Sequence, residues 1–351
     1  MHKLAVIGTG DLARAVCYSL AAVGRTSVEV VVVGRSVDKV NQLCYVANAR
    51  AATAGRTGLA FTPFVGDVEP AVADVDGALV CASSQSPWER LTAPSAWTAL
   101  VGRAGYGITL PFQAELALRV GRALPERSWL VNGCFPDAVN PLLAALDVPV
   151  LCGIGNIALL AASAQAALGL PDQGRLRMLA HHVHLHEPAD GVDEVRAWHD
   201  DEPITAPGEL LAAQRNAERT ELNQVTGFAA AVLLDALLCG TPVETHLPGP
   251  HGLPGGYPVR LEGTAIELRL PAGVSRADAI AFNQRAAAAD GVVVDGDRVV
   301  FGPEVAEHLP GLADGFRTVD LAAATAELNA LRERLRGEPV VQQRGGVEMP
   351  V

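Results

Sequence analysis

Four of the chain's nine histidines fall within six positions, His181-His182-Val183-His184-Leu185-His186. That density admits three readings: a metal site, an acid–base site, or a strand that carries histidines without a task. Imidazole titrates near neutrality, so one well-placed ring can give or take a proton. The stretch 176–186 reads as a strand, which would turn His182, His184 and His186 to one face. Alternate strand residues stand roughly 6–7 Å apart, an awkward span for a tetrahedral centre, and no metal is assigned. A second reactive group is the run Gly8-Thr9-Gly10-Asp11-Leu12-Ala13, a G-x-G-x-x-A pattern. Glycines so spaced permit a tight turn and close approach of a pyrophosphate to the backbone, while Ala13 lets helix and strand pack closely.

The elements around these residues supply the context the motifs need. Leu4 to Ile7 is a short apolar strand, and apolar residues at Leu12, Ala13, Val16, Leu20 and Val23 continue it as a helix. Strand, glycine turn and helix together make a dinucleotide-binding fingerprint, with the helix N-terminus favouring negative charge. A second strand, Val28 to Val33, ends in Gly34-Arg35-Ser36. An acidic residue at such a strand end would bond ribose hydroxyls; here Arg35 and Ser36 suit a 2′-phosphate instead, which favours NADP(H) over NAD(H). Further buried strands at 75–84, 128–135 and 148–156 alternate with helical patterns, so the expected class is α/β, a doubly wound Rossmann domain over 1–153.

The order of segments resembles the lactate/malate dehydrogenase superfamily, which also includes the NAD-dependent family 4 glycosidases. The glycine turn matches, as do Ser83 to Arg90 at the place of the mobile substrate loop and Leu130-Val131-Asn132 beside the nicotinamide. "VPVLCGIGNIALLAASAQAALGL" matches the strand and long helix that open the catalytic domain, and "MLAHHVHL" the strand with the catalytic histidine. The likeness covers roughly 3–290 and implies an α+β second domain over 154–336, ending in an extension the family lacks. It implies His182 as acid–base, Arg90 polarising a carbonyl and Asn132 orienting the substrate. The cofactor set it implies is Gly8, Thr9, Gly10, Asp11, Leu12, Gly34, Arg35, Ser36, Ser83 and Asn132. Asn156, Ala158, Ala161 and Thr226 would line the substrate pocket, with Asn223 and Gly227 as neighbours or helix-packing residues. A dimer or tetramer of identical chains is a further expectation from the likeness.

One departure qualifies the likeness. The family reads N-x-D-x-x-R where this chain has Asn156-Ile157-Ala158-Leu159-Leu160-Ala161. Alanine cannot orient a histidine or clamp a carboxylate, so a simple 2-oxo acid is not the expected substrate. His182 loses its orienting carboxylate unless another segment supplies one; His199-Asp200-Asp201-Glu202 could, although a solvated charged loop is the more ordinary reading of that cluster. The reading is an NADP(H)-dependent oxidoreductase acting on a small metabolite. Its alternatives are a family 4-like hydrolase or lyase and a non-catalytic nucleotide-binding protein.

Composition narrows the partners. A net charge of −12 without any basic block disfavours nucleic acid. Apolar runs are broken by Pro, Gly and Asp, which disfavours a membrane span. Six scattered cysteines without a C-x-x-C pair fit a reducing compartment. The opening residues show no targeting pattern, and a cytoplasmic protein is expected. The hairpin pattern at Asp295-Gly296, an amphipathic helix after it and a disordered tail over 337–351 complete the reading.

Overall fold

A computed structural model describes residues 1–339; of the tail expected over 337–351, residues 340–351 lie outside them. The first half alternates strands and helices: β1 (His2–Ile7), α1 (Asp11–Val23), β2 (Val28–Gly34), α2 (Val37–Thr53), β3 (Leu59–Val65), α3 (Val68–Val72) and β4 (Gly77–Val80). It continues through α4 (Glu89–Thr92), α5 (Ala96–Ala104), α6 (Leu110–Ala123), β5 (Trp129–Asn132), α7 (Pro136–Ala145) and β6 (Cys152–Gly153). The six strands form one parallel sheet in the order β3-β2-β1-β4-β5-β6. Its central strands are apolar throughout because helices cover both faces. The order reverses between β1 and β4, and the crevice there opens beside the glycine turn.

The second half runs α8 (Asn156–Ala167), β7 (Leu176–Leu179), β8 (Arg196–His199), β9 (Glu202–Pro203), α9 (Ala212–Arg215) and α10 (Arg219–Cys239). It closes with β10 (Val243–Pro248), β11 (Gly256–Glu262), β12 (Ala265–Leu268) and α11 (Arg276–Ala289). Two antiparallel three-stranded sheets, β7-β8-β9 and β10-β11-β12, give this half its α+β character. The halves join where α10 crosses α1. A Cβ on Gly227 would lie 2.5 Å from that of Ala15, so glycine sets the closeness of that crossing. α10 is the one helix among the described residues long and apolar enough to cross a membrane, and most of it is buried.

Three expectations need correcting. The strand expected over 176–186 ends at Leu179, and a 3-10 turn follows over His182–Leu185. The His181 amide donates to His184 Nδ1 (2.8 Å) and the His184 amide to the His181 carbonyl (3.0 Å), which curls the chain. The histidines therefore do not alternate along one face. The strand expected over 148–156 shrinks to Cys152–Gly153, because only those two residues pair with β5. The stretch 209–239, whose composition reads as one long helical region, is broken into a 3-10 turn, α9 and α10.

The C-terminal extension comprises β13 (Val292–Asp295), β14 (Arg298–Phe301), α12 (Pro303–His308), β15 (Phe316–Arg317) and α13 (Leu321–Arg336). The hairpin turns at Asp295 and Gly296, as expected, with Gly296 at φ +55°. Although it follows the second half in sequence, its core residues Val299, Phe301, Leu321 and Leu328 join those of α5 and α6. It is packed on the first half.

Candidate active site

At the glycine turn the two glycines answer different needs. Gly8 takes φ +130°, and a Cβ there would lie 2.9 Å from the Cys81 carbonyl oxygen of the segment after β4. Gly10 has an ordinary φ of −75°, and no atom lies within 4 Å of the Cβ it lacks. The fold itself does not require glycine at position 10; a molecule lying against the backbone would. No side chain caps the first turn of α1, which leaves its amides directed toward that space. Thr9 is half-buried and its carbonyl accepts from Arg14 Nε (3.1 Å). Asp11 is exposed, Leu12 half-buried and Ala13 sealed against the sheet. These features fit a dinucleotide's pyrophosphate.

The end of β2 is shaped by packing. A Cβ on Gly34 would sit 2.7 Å from Val40 Cγ2 and 2.8 Å from Thr9 Cγ2, so no side chain fits there. Arg35 is exposed and bonds to no described residue. The Ser36 hydroxyl accepts from the Lys39 amide (3.4 Å) and caps α2. Ser83 donates to the Gln85 carbonyl (2.6 Å).

His182 is the centre of the second group. Its Nδ1 lies 2.9 and 3.1 Å from the two oxygens of Asp290, the residue that ends α11. The ring also meets Phe135 edge to face, with centroids 5.5 Å apart, and Phe135 meets Tyr106 likewise at 5.3 Å. Phe135 takes φ +46°, an uncommon conformation for a bulky residue and one that often marks a functional site. Burial opposes a charge on His182, but the field and hydrogen bond of Asp290 outweigh it and lift its pKa above the ordinary value. With Nδ1 on the carboxylate, Nε2 is the nitrogen available for proton transfer.

Behind His182 lies a buried neighbour. His181 is 1% exposed, with Nδ1 3.9 Å from Asp137 and 3.8 Å from Asp290, and neither ring nitrogen has a hydrogen-bond partner among the described residues. Asp137, also 1% exposed, accepts from Asn156 Nδ2 (3.0 Å). Burial raises its pKa, only partly offset by the two histidines. His184 is structural: it stacks on Phe282, its Nδ1 accepts the His181 amide, and its Nε2 donates to the Asp193 carbonyl (2.9 Å). Burial pushes its pKa down to about 4. Among the described residues no three His, Cys, Asp or Glu side chains are grouped to hold a metal.

Several expected site residues stand elsewhere. Asn132 is fully buried; its amide nitrogen donates to the Cys134 carbonyl and Asn140, and its oxygen accepts the Cys134 amide. Those bonds shape the turn after β5 and occupy the amide. Arg90 is exposed on α4, and no contact joins it to His182. Its neighbour Glu89 is the buried one, paired with Arg336 of α13 at 2.6 and 2.7 Å. Ala161 is sealed in the core among Leu160, Met178 and Leu211 and cannot floor a pocket, because α8 is covered by the turn before α9. Ala158 lines a small cavity of about 20 Å³ between α8, α10 and β10, bordered by His246 and not by the histidines of the 181–186 turn. Thr226 is buried beside Gly155, Asn223 is half-buried, and Gly227 serves the helix crossing. The 199–202 cluster pairs with Arg175 and does not reach His182.

Asp290 and Asp137 were missed by sequence reasoning. Asp290 reads as an ordinary helix-ending Asp-Gly, and Asp137 as an ordinary first-turn acid. The one available signal was that Asp137 follows β5 at the carboxyl edge of the sheet, where ligands gather in such folds.

The sheet order, with a glycine turn at its reversal point, defines a doubly wound dinucleotide-binding fold, here joined to an α+β second half. No family model matches the sequence, and no curated protein matches it. Solved structures do. The malate dehydrogenase of Picrophilus torridus, in its apo form, is similar over 81% of this chain and 94% of its own, with a TM-score of 0.55 at 14% identity. The malate dehydrogenase of Naegleria fowleri gives 0.52 at 12% identity over 80% and 94%. The lactate dehydrogenase of Cryptosporidium parvum, solved with lactic acid and β-nicotinamide adenine dinucleotide, gives 0.51 at 14% identity over 82% and 96%. The chain has the lactate/malate dehydrogenase-like fold.

Proposed function

We propose that this chain is a nicotinamide-dependent oxidoreductase that uses NADP(H) in preference to NAD(H) and acts on the carbonyl, or matching alcohol, of a small metabolite. The observation that carries the proposal is the His182–Asp290 pair: an imidazole held by Nδ1 with Nε2 free, in a fold whose glycine turn leaves room for a dinucleotide. When bound, the nicotinamide supplies or accepts the hydride. His182 gives its Nε2 proton to the carbonyl oxygen in one direction and takes it from the alcohol in the other. Asp290 fixes the tautomer and favours the charged ring. Phe135 and Tyr106 wall the ring and limit water. Arg35, which bonds to no described residue, would pair with a 2′-phosphate.

Titration with NADPH and NADH, followed by nicotinamide fluorescence, tests the reading. NADPH should bind at least about tenfold more tightly, and Arg35→Glu should remove that preference. Binding of neither nucleotide would overturn the proposal.

A further inference from the structure

Two arginines follow the 3-10 turn before α10, and only one has a partner among the described residues. Arg215 is bidentate to Glu194 at 2.8 and 2.9 Å and also donates to the His184 carbonyl (3.2 Å). Gln214 beside it donates to the Leu185 carbonyl (3.3 Å). These bonds lay α9, and with it the chain that leads into α10, onto the histidine turn. Arg219, four residues on, is half-buried and has no hydrogen bond or ion pair to any described residue. Its charge nonetheless reaches the site, because it acts on the rings of both His182 and His186. Burial lowers its own pKa.

A guanidinium withdrawn from water without a counter-ion is costly, and buried charges are ordinarily paired. Five donors in a planar fork have no acceptor among the described residues, on the chain that α9 ties to the histidine turn. We propose that Arg219 is the anion-binding residue of the His182 site, receiving the carboxylate or phosphate of a small carbonyl compound, or of its alcohol, whose oxygen lies against His182 Nε2. The positive charge missing from α8, where Ala161 is sealed in the core, is then supplied by α10. The carbonyl half of this inference rests on the oxidoreductase reading; the anion half rests on Arg219 itself.

The test uses the full chain and two anionic probes, malonate and inorganic phosphate, with neutral malonamide as control. The ring signals of His182 are followed by NMR. One anion, and not malonamide, should shift them saturably, and which anion does so separates a carboxylate from a phosphate ligand. Arg219→Met should weaken that binding about tenfold or more, and Arg219→Lys should recover part of it. Since Arg219→Met removes an unpaired cation, its melting temperature should equal or exceed that of the parent. Equal anion binding by Arg219→Met, an equal response to malonamide, no response to either anion, or a clearly lower melting temperature would each overturn the inference. Nucleotide titration on the same samples separates the two claims. An Arg219-dependent anion response without nucleotide binding sinks the oxidoreductase reading and leaves the anion site standing. Nucleotide binding with Arg219-independent anions sinks the anion site alone.

Discussion

At the glycine turn the shaping residues are chain neighbours, Gly8 to Ala13, between one strand and one helix. At the histidine turn, His182 takes its carboxylate from Asp290, 108 residues away. The first site is a local backbone geometry that spacing encodes. The second is an assembly of side chains from α7, α11 and the segment after β7. A local site tolerates changes elsewhere in the fold, whereas an assembled one depends on every element that delivers a part.

The largest effect should come from the assembled site. His182→Gln should lower turnover about 10²–10⁴-fold while leaving nucleotide affinity unchanged, measured by steady-state kinetics beside fluorescence titration. Unchanged turnover would dissolve the comparison, because the histidine turn would then be scaffold only. Asp290→Asn should follow, with a loss of about ten- to a hundredfold from removing a charge-assisted hydrogen bond. The pKa of His182 is raised by Asp290 in the fold, so the same change should move its NMR titration midpoint to lower pH. An unmoved midpoint would mean that Asp290 does not orient the ring.

The local site is sharpened by contrasting its glycines. Gly8→Ala should cost about 1–3 kcal/mol in urea unfolding, from strain at φ +130° and collision with the Cys81 carbonyl. Gly10→Val should leave stability nearly unchanged, since the added atoms meet open space, but should weaken nucleotide binding. Equal destabilisation by both would show that Gly10 serves the fold and not a ligand.

An effect confined to a narrow pH window concerns acid stability. His184 stays neutral in the fold down to about pH 4, whereas in the unfolded chain it takes a proton near its ordinary value of about 6.5. The unfolded state therefore binds more protons in that window, and stability is lost as pH falls from about 6.5 to 4, by roughly 3 kcal/mol from this residue. In a His184→Gln variant the slope of unfolding free energy against pH should flatten over that window.

What was legible followed the range of the interactions. The strand–turn–helix unit, the apolar strands of a two-sided parallel sheet and the hairpin at Asp295-Gly296 are all written in residue periodicity and turn chemistry. The 3-10 turn at His182 was not, because it depends on a bond between the His181 amide and the His184 ring that competes with strand pairing. Ala161 read as pocket floor since its position resembles a substrate contact, but its burial depends on the turn before α9 folding over α8. Asn132 read as a substrate ligand, yet Asn140 and the Cys134 backbone occupy its amide.

By itself the sequence determined a doubly wound sheet, a glycine turn able to admit a pyrophosphate and a strand end free of acid at Gly34, because backbone conformation and apolar patterning act over a few residues. Only the tertiary structure decided which carboxylate holds His182, that Arg215 is paired while Arg219 has no partner among the described residues, and that helix α13 packs on the first half. Those depend on which side chains meet across separations from 21 positions, for Arg215 and Glu194, to 247, for Arg336 and Glu89, and pairing of that kind leaves no spacing to read in a single chain.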